Sequence, residues 1–287
     1  MTQPPCPPPF KLPPRERESH KGTYGRCLLI GGSPGMAGSI SLSGQAALRS
    51  GAGLVTVATP LECRDLVASF EPCYMTWAWP SPGDTGSWNE LLQRSAAMDA
   101  VGCGPGLGGS PLIDELVNRL YETLSQPLVM DADGLNALAR GRAIPTTAPG
   151  PRILTPHPGE FRRLLHADER VSGNQLRAQA VDFARAHSIV LVLKGHRTLV
   201  TDGQELYENA TGNPGMATGG TGDVLTGVIT ALLGQGLAPF QAAQLGVYLH
   251  GLAGDLAAAR WGETSLIARD LLTTLPAAFQ QVVENRV

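Results

Sequence analysis

Short apolar runs separated by segments of helical period recur along almost the whole chain, and few architectures accept that order. The runs at residues 27–30, 54–58, 100–103, 128–131, 153–155 and 189–193 are rich in Val, Ile and Leu. Several are apolar throughout, as strands covered on both faces must be. Between and after them, helices are predicted over 37–50, 61–70, 111–124, 159–165, 174–186, 223–233, 241–259 and 268–284. This alternation predicts an α/β fold, a central, mostly parallel sheet with helices on both faces. Val224, Leu225, Val228, Ile229, Leu232 and Leu233 fall on one face at a 3.6 period. Pro276 is expected to kink or split the last helix. Two Pro/Gly/Ser/Thr-rich stretches, 80–87 and 141–151, read as surface loops, because the alternation resumes unchanged after each.

Seven of the 23 prolines fall within residues 1–14, so residues 1–20 read as a polyproline-like or disordered tail before a single domain over 21–287. The tail lacks the apolar segment of a secretory signal. The most apolar stretch, 224–233, is interrupted by Thr226, Gly227 and Thr230, and no stretch approaches the about 18 apolar residues of a membrane span. A membrane partner is not expected. The charge balance of 22 basic against 25 acidic residues, −3, gives no reason to expect a nucleic-acid partner either. Cys6, Cys27, Cys63, Cys73 and Cys103 are odd in number and form no C-x-x-C pair, which indicates neither a disulfide framework nor a zinc site. A reducing cytoplasm is the expected compartment. The 35 glycines point to tight turns that approach ligands closely.

The sharpest local signal is Thr218-Gly219-Gly220-Thr221-Gly222-Asp223 running directly into a helix. The first amides of a helix have no internal acceptors, so Gly220, Thr221 and Gly222 can face a phosphoryl group. Asp223, in the first helical turn, can accept a hydroxyl proton beside that group. The same residues also read as an ordinary turn with a helix-start carboxylate. A Walker loop is excluded, since the lysines are Lys11, Lys21 and Lys194 and none follows a G-x-x-x-x-G. Gly104-Pro105-Gly106-Leu107-Gly108-Gly109 matches G-x-G-x-x-G, with Asp131 placed for a ribose hydroxyl; it reads as a dinucleotide turn or as a tight connection. Polar, glycine-bearing exits also follow the predicted strands at 31–38, 131–133, 155–160 and 194–198, describing a cleft on one sheet edge. His157, between two prolines, is read as a ligand contact or a turn, and Lys194 as a strand-end cap or a phosphate contact. His20, His166, His187 and His250 have no partners at metal spacing and read as surface or satisfied-core residues.

Taken in order, the motifs at residues 35–60, 103–108, 130–138, 154–161, 192–200 and 209–236 resemble those of the ADP- or ATP-dependent NAD(P)H-hydrate dehydratases. That family has the ribokinase-like fold, and the resemblance covers about residues 20–285. It implies repair of hydrated NADH or NADPH by phosphorylation of the ring hydroxyl and elimination of phosphate. By resemblance, Asp223 is the base and substrate contact, and Gly220, Thr221 and Gly222 form the anion hole. Lys194, Gly195, His196, Arg197 and Thr198, with Gly222, match the nucleotide-binding positions, and Ala37, Gly106 and His157 match contacts to the hydrated dinucleotide. Glu160 is expected to act on Mg²⁺ through water, although His157 stands where many of the wider superfamily carry Asn. The segments at 155–161 and 194–198 look more like those of bacterial members, which use ADP. The resemblance also implies a homo-oligomer, a tetramer or larger. Nothing before residue 20 is long enough for the epimerase domain fused to many relatives, so that activity is not expected here. Two other readings remain, a small-alcohol kinase of the same fold and a catalytically idle nucleotide sensor.

Overall fold

The computed structural model describes residues 6–79, 85–141, 144–167 and 173–284. Residues 1–5 of the expected tail, and 80–84 and 142–143 of the two expected loops, lie outside the described residues. Among the described residues, nine strands form one sheet: β1 (Arg26–Ile30), β2 (Leu54–Pro60), β3 (Met75–Trp79), β4 (Ala100–Cys103), β5 (Leu128–Met130), β6 (Arg152–Leu154), β7 (Val190–Leu193), β8 (Leu199–Thr201) and β9 (Leu206–Glu208). Their order is β3-β2-β1-β4-β5-β6-β7-β8-β9. The first seven in that order pair in parallel, and β8 and β9 add antiparallel. The helices are α1 (Ala37–Arg49), α2 (Leu61–Phe70), α3 (Thr85–Ala96), α4 (Pro111–Thr123), α5 (Ala132–Arg140), α6 (Pro158–Leu164), α7 (Gly173–His187), α8 (Thr221–Gly234), α9 (Pro239–Trp261) and α10 (Ala268–Val282).

Strand residues alternate between two cores, as a period of two requires. Leu28 and Ile30 of β1, Val101 and Cys103 of β4, and Leu128 and Met130 of β5 face a core shared with α4 to α7. Cys27 and Leu29 face α1 and α2, while Val129, Ile153 and Val192 face α8, α9 and α10. Because β2 and β3 lie on one side of β1 and β4 onward on the other, the chain reverses direction between β1 and β4. Ligands of open α/β sheets bind outside the carboxyl ends of the strands at such a switch point.

Several elements differ from expectation. The helix after Gly222 was expected to be apolar on one face, yet every residue of α8 from Val224 to Gly234 is buried. It is a central helix packed on β1, β4 and β5 and covered by α1, α9 and α10. Small residues permit this: a side chain at Gly227 would lie 2.1 Å from the Ser43 carbonyl of α1. Pro276 does not split α10, whose Leu271, Leu275, Ala278 and Val282 remain buried on one unbroken helix. The missing amide is one bond in an element held by packing. The proline-rich segment is not a free tail within residues 6–20. Leu12 exchanges backbone bonds with Val282 and Glu284 at 2.8 and 2.9 Å, and Phe10 and Leu12 pack on the core beside α9 and α10. The expected loop at 80–87 gives way to α3 from Thr85, whereas 144–151 has no regular structure.

Candidate active site

The parallel strands deliver their carboxyl ends to one edge, where residues from β1, β5, β6, β7 and the start of α8 meet. Gly220 precedes α8 with φ of 91°, a left-handed conformation that favours glycine, and no side chain caps the helix. The amides of its first turn therefore point out of the helix toward the edge. The Thr221 hydroxyl is turned to the Met216 and Thr218 carbonyls at 3.0 and 3.1 Å, so its amide is the group available to an anion. The His250 ring of α9 lies 2.8 Å from the Thr221 carbonyl, and burial pushes its pKa down to about 4. Read as a satisfied-core histidine, it is neutral and braces the loop from behind.

Lys194 leaves β7 and is 19% exposed. Its Nζ donates to Asp131 at 2.6 Å and lies 3.8 Å from Glu160. Burial alone would lower the Lys194 pKa, but the Asp131 and Glu160 carboxylates outweigh it, so the ammonium is held above its ordinary value. Asp131, at the end of β5, also accepts from the Thr226 hydroxyl of α8 at 2.8 Å and is 1% exposed. A side chain at Gly222 would lie 3.3 Å from Nζ, so the lysine charge borders the amides that start α8.

Asp223 stands in the same first turn, with burial pushing its carboxyl up to about 6 and the Asp131 charge adding to the shift. A hydrogen bond from Ser39 and the Lys194 charge pull the other way. A carboxylate tuned toward neutrality is suited to take and release a proton. On one side of it, a 960 Å³ cavity is lined by His157, Lys194, Gly195, His196, Arg197, Thr198, Thr221 and Gly222. On the other, the β1–α1 and β4–α4 loops interlock at the switch point, where Gly32 donates to the Pro105 carbonyl at 2.9 Å. Ala37 begins α1 there, and Gly106, with φ of 62°, admits no side chain because one would lie 2.7 Å from the Met36 carbonyl.

Three of the residues singled out in the sequence are also engaged within the protein itself. Asp131 is committed to Lys194 through one oxygen and to Thr226 through the other, and makes no bond to the G-x-G-x-x-G turn among the described contacts. That turn is instead fastened by Asp133, which accepts from the Gly108 amide at 2.9 Å. His157 also holds its own turn together. Its Nδ1 accepts from the Gly159 and Glu160 amides, while Glu160 accepts from the His157 amide at 2.8 Å, closing a capping box on α6. Arg197 is half of an ion pair with Glu208 of β9, which also holds Arg177. Asp133, Thr226 and His250 were not among the expected site residues, and Asp131 was expected only as a ribose contact; the polar pair right after an apolar strand, 131–133, was the signal for Asp133.

Among the described residues no group of three or more His, Cys, Asp or Glu side chains converges as a metal cage. Glu160 and Asp131 both face Lys194. That donor set fits a Mg²⁺ that arrives on phosphate oxygens and keeps its waters, not a resident ion.

The sequence profile of the NAD(P)H-hydrate dehydratase family matches residues 27–277. The chain is 46% identical over 281 residues to a bifunctional NAD(P)H-hydrate repair enzyme of Moorella thermoacetica, covering 96% of this chain and 53% of that one. It thus spans about half the length of the curated relatives it matches. Its fold superposes on the ADP/ATP-dependent NAD(P)H-hydrate dehydratase of Bacillus subtilis, co-crystallised with ATP/Mg²⁺, with a TM-score of 0.80, 33% identity and 95% of both chains. A ribokinase-like superfamily protein of Enterococcus faecalis superposes with a TM-score of 0.82 at 28% identity, over 95% of this chain and 93% of that one. The fold is ribokinase-like, and the chain belongs to the NAD(P)H-hydrate dehydratase family.

Proposed function

We propose that this chain dehydrates the hydrates of NADH and NADPH at the expense of a nucleoside phosphate, with ADP as the donor. The observation that carries the reading is Asp223, a carboxylate with its pKa raised to about 6, set between a phosphate-sized helix start and the switch-point loops. Ionised Asp223 takes the proton of the ring hydroxyl as that oxygen bonds to the terminal phosphorus and the phosphorus–bridging oxygen bond breaks. The amides of Gly220, Thr221 and Gly222, with the Lys194 ammonium, oppose the charge gathered on the transferring phosphoryl group. Hydroxide is a poor leaving group and phosphate a good one. In the second half the ring carbon–oxygen bond breaks, phosphate departs, and the adjacent ring carbon gives up a proton to form the double bond. Lys194 to Thr198 and Gly222 hold the donor nucleotide, while Ala37, Gly106 and His157 contact the hydrated dinucleotide. Mg²⁺ arriving with the nucleotide would neutralise charge on its phosphates, and Glu160 would act on it through water.

The test is regeneration of the absorbance of reduced nicotinamide from each hydrate by the purified protein with Mg²⁺ and ADP or ATP. The expected result is turnover with release of one phosphate per product. No regeneration with either nucleotide ends the reading, and a stable phosphorylated product would indicate a kinase instead. A multimer of four or more copies in the cytoplasm completes the proposal. It is supported by the apolar Leu61, Leu66 and Phe70 exposed on α2 and Met75 on the edge strand β3. Light scattering that returns the monomer mass of 30.1 kDa would refute that part. Among the described residues no helix is long and apolar enough to cross a membrane.

A further inference from the structure

A second cavity, of 750 Å³, lies between α5 and α6 and is walled by Asn136, Arg140, Gly159, Arg162, Arg163 and His166. Its described lining contains no carboxylate. Asp114, from α4, pairs with Arg140 at 2.7 Å from behind. Arg140 gives its fork to Asp114 and Arg163 its Nε to Asn136, so what the recess offers an oxyanion of phosphate type is the terminal N–H groups of Arg163 and the positive charge of its lining.

The recess is wired to the catalytic edge. Asp133, whose charge is felt by both Asp223 and Arg140, accepts from the Gly108 amide and from Asn136 Nδ2 at 3.4 Å. The other end of the Asn136 amide accepts from Arg163 Nε at 3.0 Å. A side chain at Gly109 would meet Arg140 at 3.3 Å, so the turn that carries Gly106 borders the recess. Gly159 borders it from the other side and donates to His157 at 3.0 Å. The recess is therefore linked by hydrogen bonds to the loops on the acceptor side of Asp223, and its lining shares no residue with that of the nucleotide cavity.

Resting on the dehydratase reading, we propose that the recess between α5 and α6 binds a phosphate of the hydrated dinucleotide, remote from the ring that reacts. The substrate carries phosphate in two places, the diphosphate bridge common to both hydrates and the 2′-phosphate of the NADPH hydrate alone. Binding energy from such a remote group fixes the ring against Asp223.

Arg163 is exposed, so Arg163→Gln and the charge-reversed Arg163→Glu should fold, as unchanged thermal midpoints would verify. Loss of one charge-assisted contact raises the KM for the hydrate about tenfold in Arg163→Gln, and further in Arg163→Glu, with kcat and the nucleotide KM little changed. An equal rise for both hydrates identifies the diphosphate as the occupant; a rise for the NADPH hydrate alone identifies the 2′-phosphate. Unchanged KM for both hydrates overturns the proposal, as does an equal rise in Arg94→Gln, which removes a charge from α3 outside the recess. Should the wild-type protein turn over neither hydrate, the dehydratase reading fails separately, and calorimetry with inorganic diphosphate reads the recess. Binding weakened about tenfold by Arg163→Gln then keeps it as a phosphate site, and no binding removes it.

Discussion

At Asp223, function and stability pull in opposite directions. Its pKa in the fold is about 6 against an ordinary value of 3.8, so the ionised form costs stability as pH rises between those values, and the cost persists above about 6. Asp223→Asn removes that cost. The expected result is a turnover loss of about 10³ or more with nucleotide binding kept. The same variant should gain about 1–3 kcal/mol at pH 7, after allowing for solvent screening of a half-buried group. Turnover assays and denaturant melts check the two halves, and a variant that is neither slower nor more stable would remove Asp223 from both arguments. The wild-type rate should fall as pH drops through about 6, since the protonated carboxyl cannot accept the hydroxyl proton; the inflection should vanish from whatever activity Asp223→Asn retains. Lys194 behaves differently. Lys194→Met leaves the Asp131 and Glu160 charges uncompensated in a buried site, a change expected to cost about 3–5 kcal/mol. Lys194→Met with Asp131→Asn should recover part of that stability while remaining inactive, which unfolding curves of the single and double variants would show.

Among the elements, α8 and β6 show where period and composition mislead. The apolar stripe from Val224 to Leu233 is real, but the opposite face is buried as well, because Gly227, Ala231 and Thr230 are small enough to admit α1 and the sheet. Thr230 satisfies its hydroxyl on the Thr226 carbonyl at 2.7 Å, so a polar residue does not mark solvent here. Gly227→Ala should therefore destabilise by about 1–3 kcal/mol despite alanine's better helix propensity, since the new methyl meets the Ser43 backbone. A urea midpoint at or above that of wild type would refute the close approach of α1 and α8. β6 begins one residue earlier than its apolar run, at a fully buried arginine. Arg152 donates to the Tyr121, Leu124 and Gln126 carbonyls at 2.6, 2.5 and 3.2 Å, satisfying the last turn of α4 and the loop after it. A charged residue at a strand start gives no hint of such partners.

For the whole molecule, the proline-rich segment departs furthest from what its composition suggests. Such a composition favours a tail without packing, yet residues 10–12 lie along the end of α10 and Tyr248 of α9 donates to the Cys6 carbonyl at 2.8 Å. Prolines suit this, since an extended strap needs few amide donors of its own. Deleting residues 1–13 should lower stability by about 1–3 kcal/mol, through loss of the Phe10 and Leu12 burial, while leaving kcat and both KM values unchanged. Chemical denaturation and steady-state assays on the truncated chain check this, and a loss of activity greater than the loss of folded protein would count against it.

Local and periodic features were legible in the chain before folding. They include the alternation of strands and helices, the glycine-rich start of α8 with Asp223 behind it, and the polar exits that share one edge. Each depends on residues adjacent in sequence, which is why it can be read there. Only the packed fold established the pairing of Lys194 with Asp131, 63 residues away in sequence, the bracing of Thr221 by His250, and the three-arginine recess. It also established the short strands β8 and β9, too brief to carry a period. Charges and hydrogen bonds acquire partners only when the sheet brings distant strand ends together, so their pKa values and chemical roles belong to the fold and not to any segment of the chain.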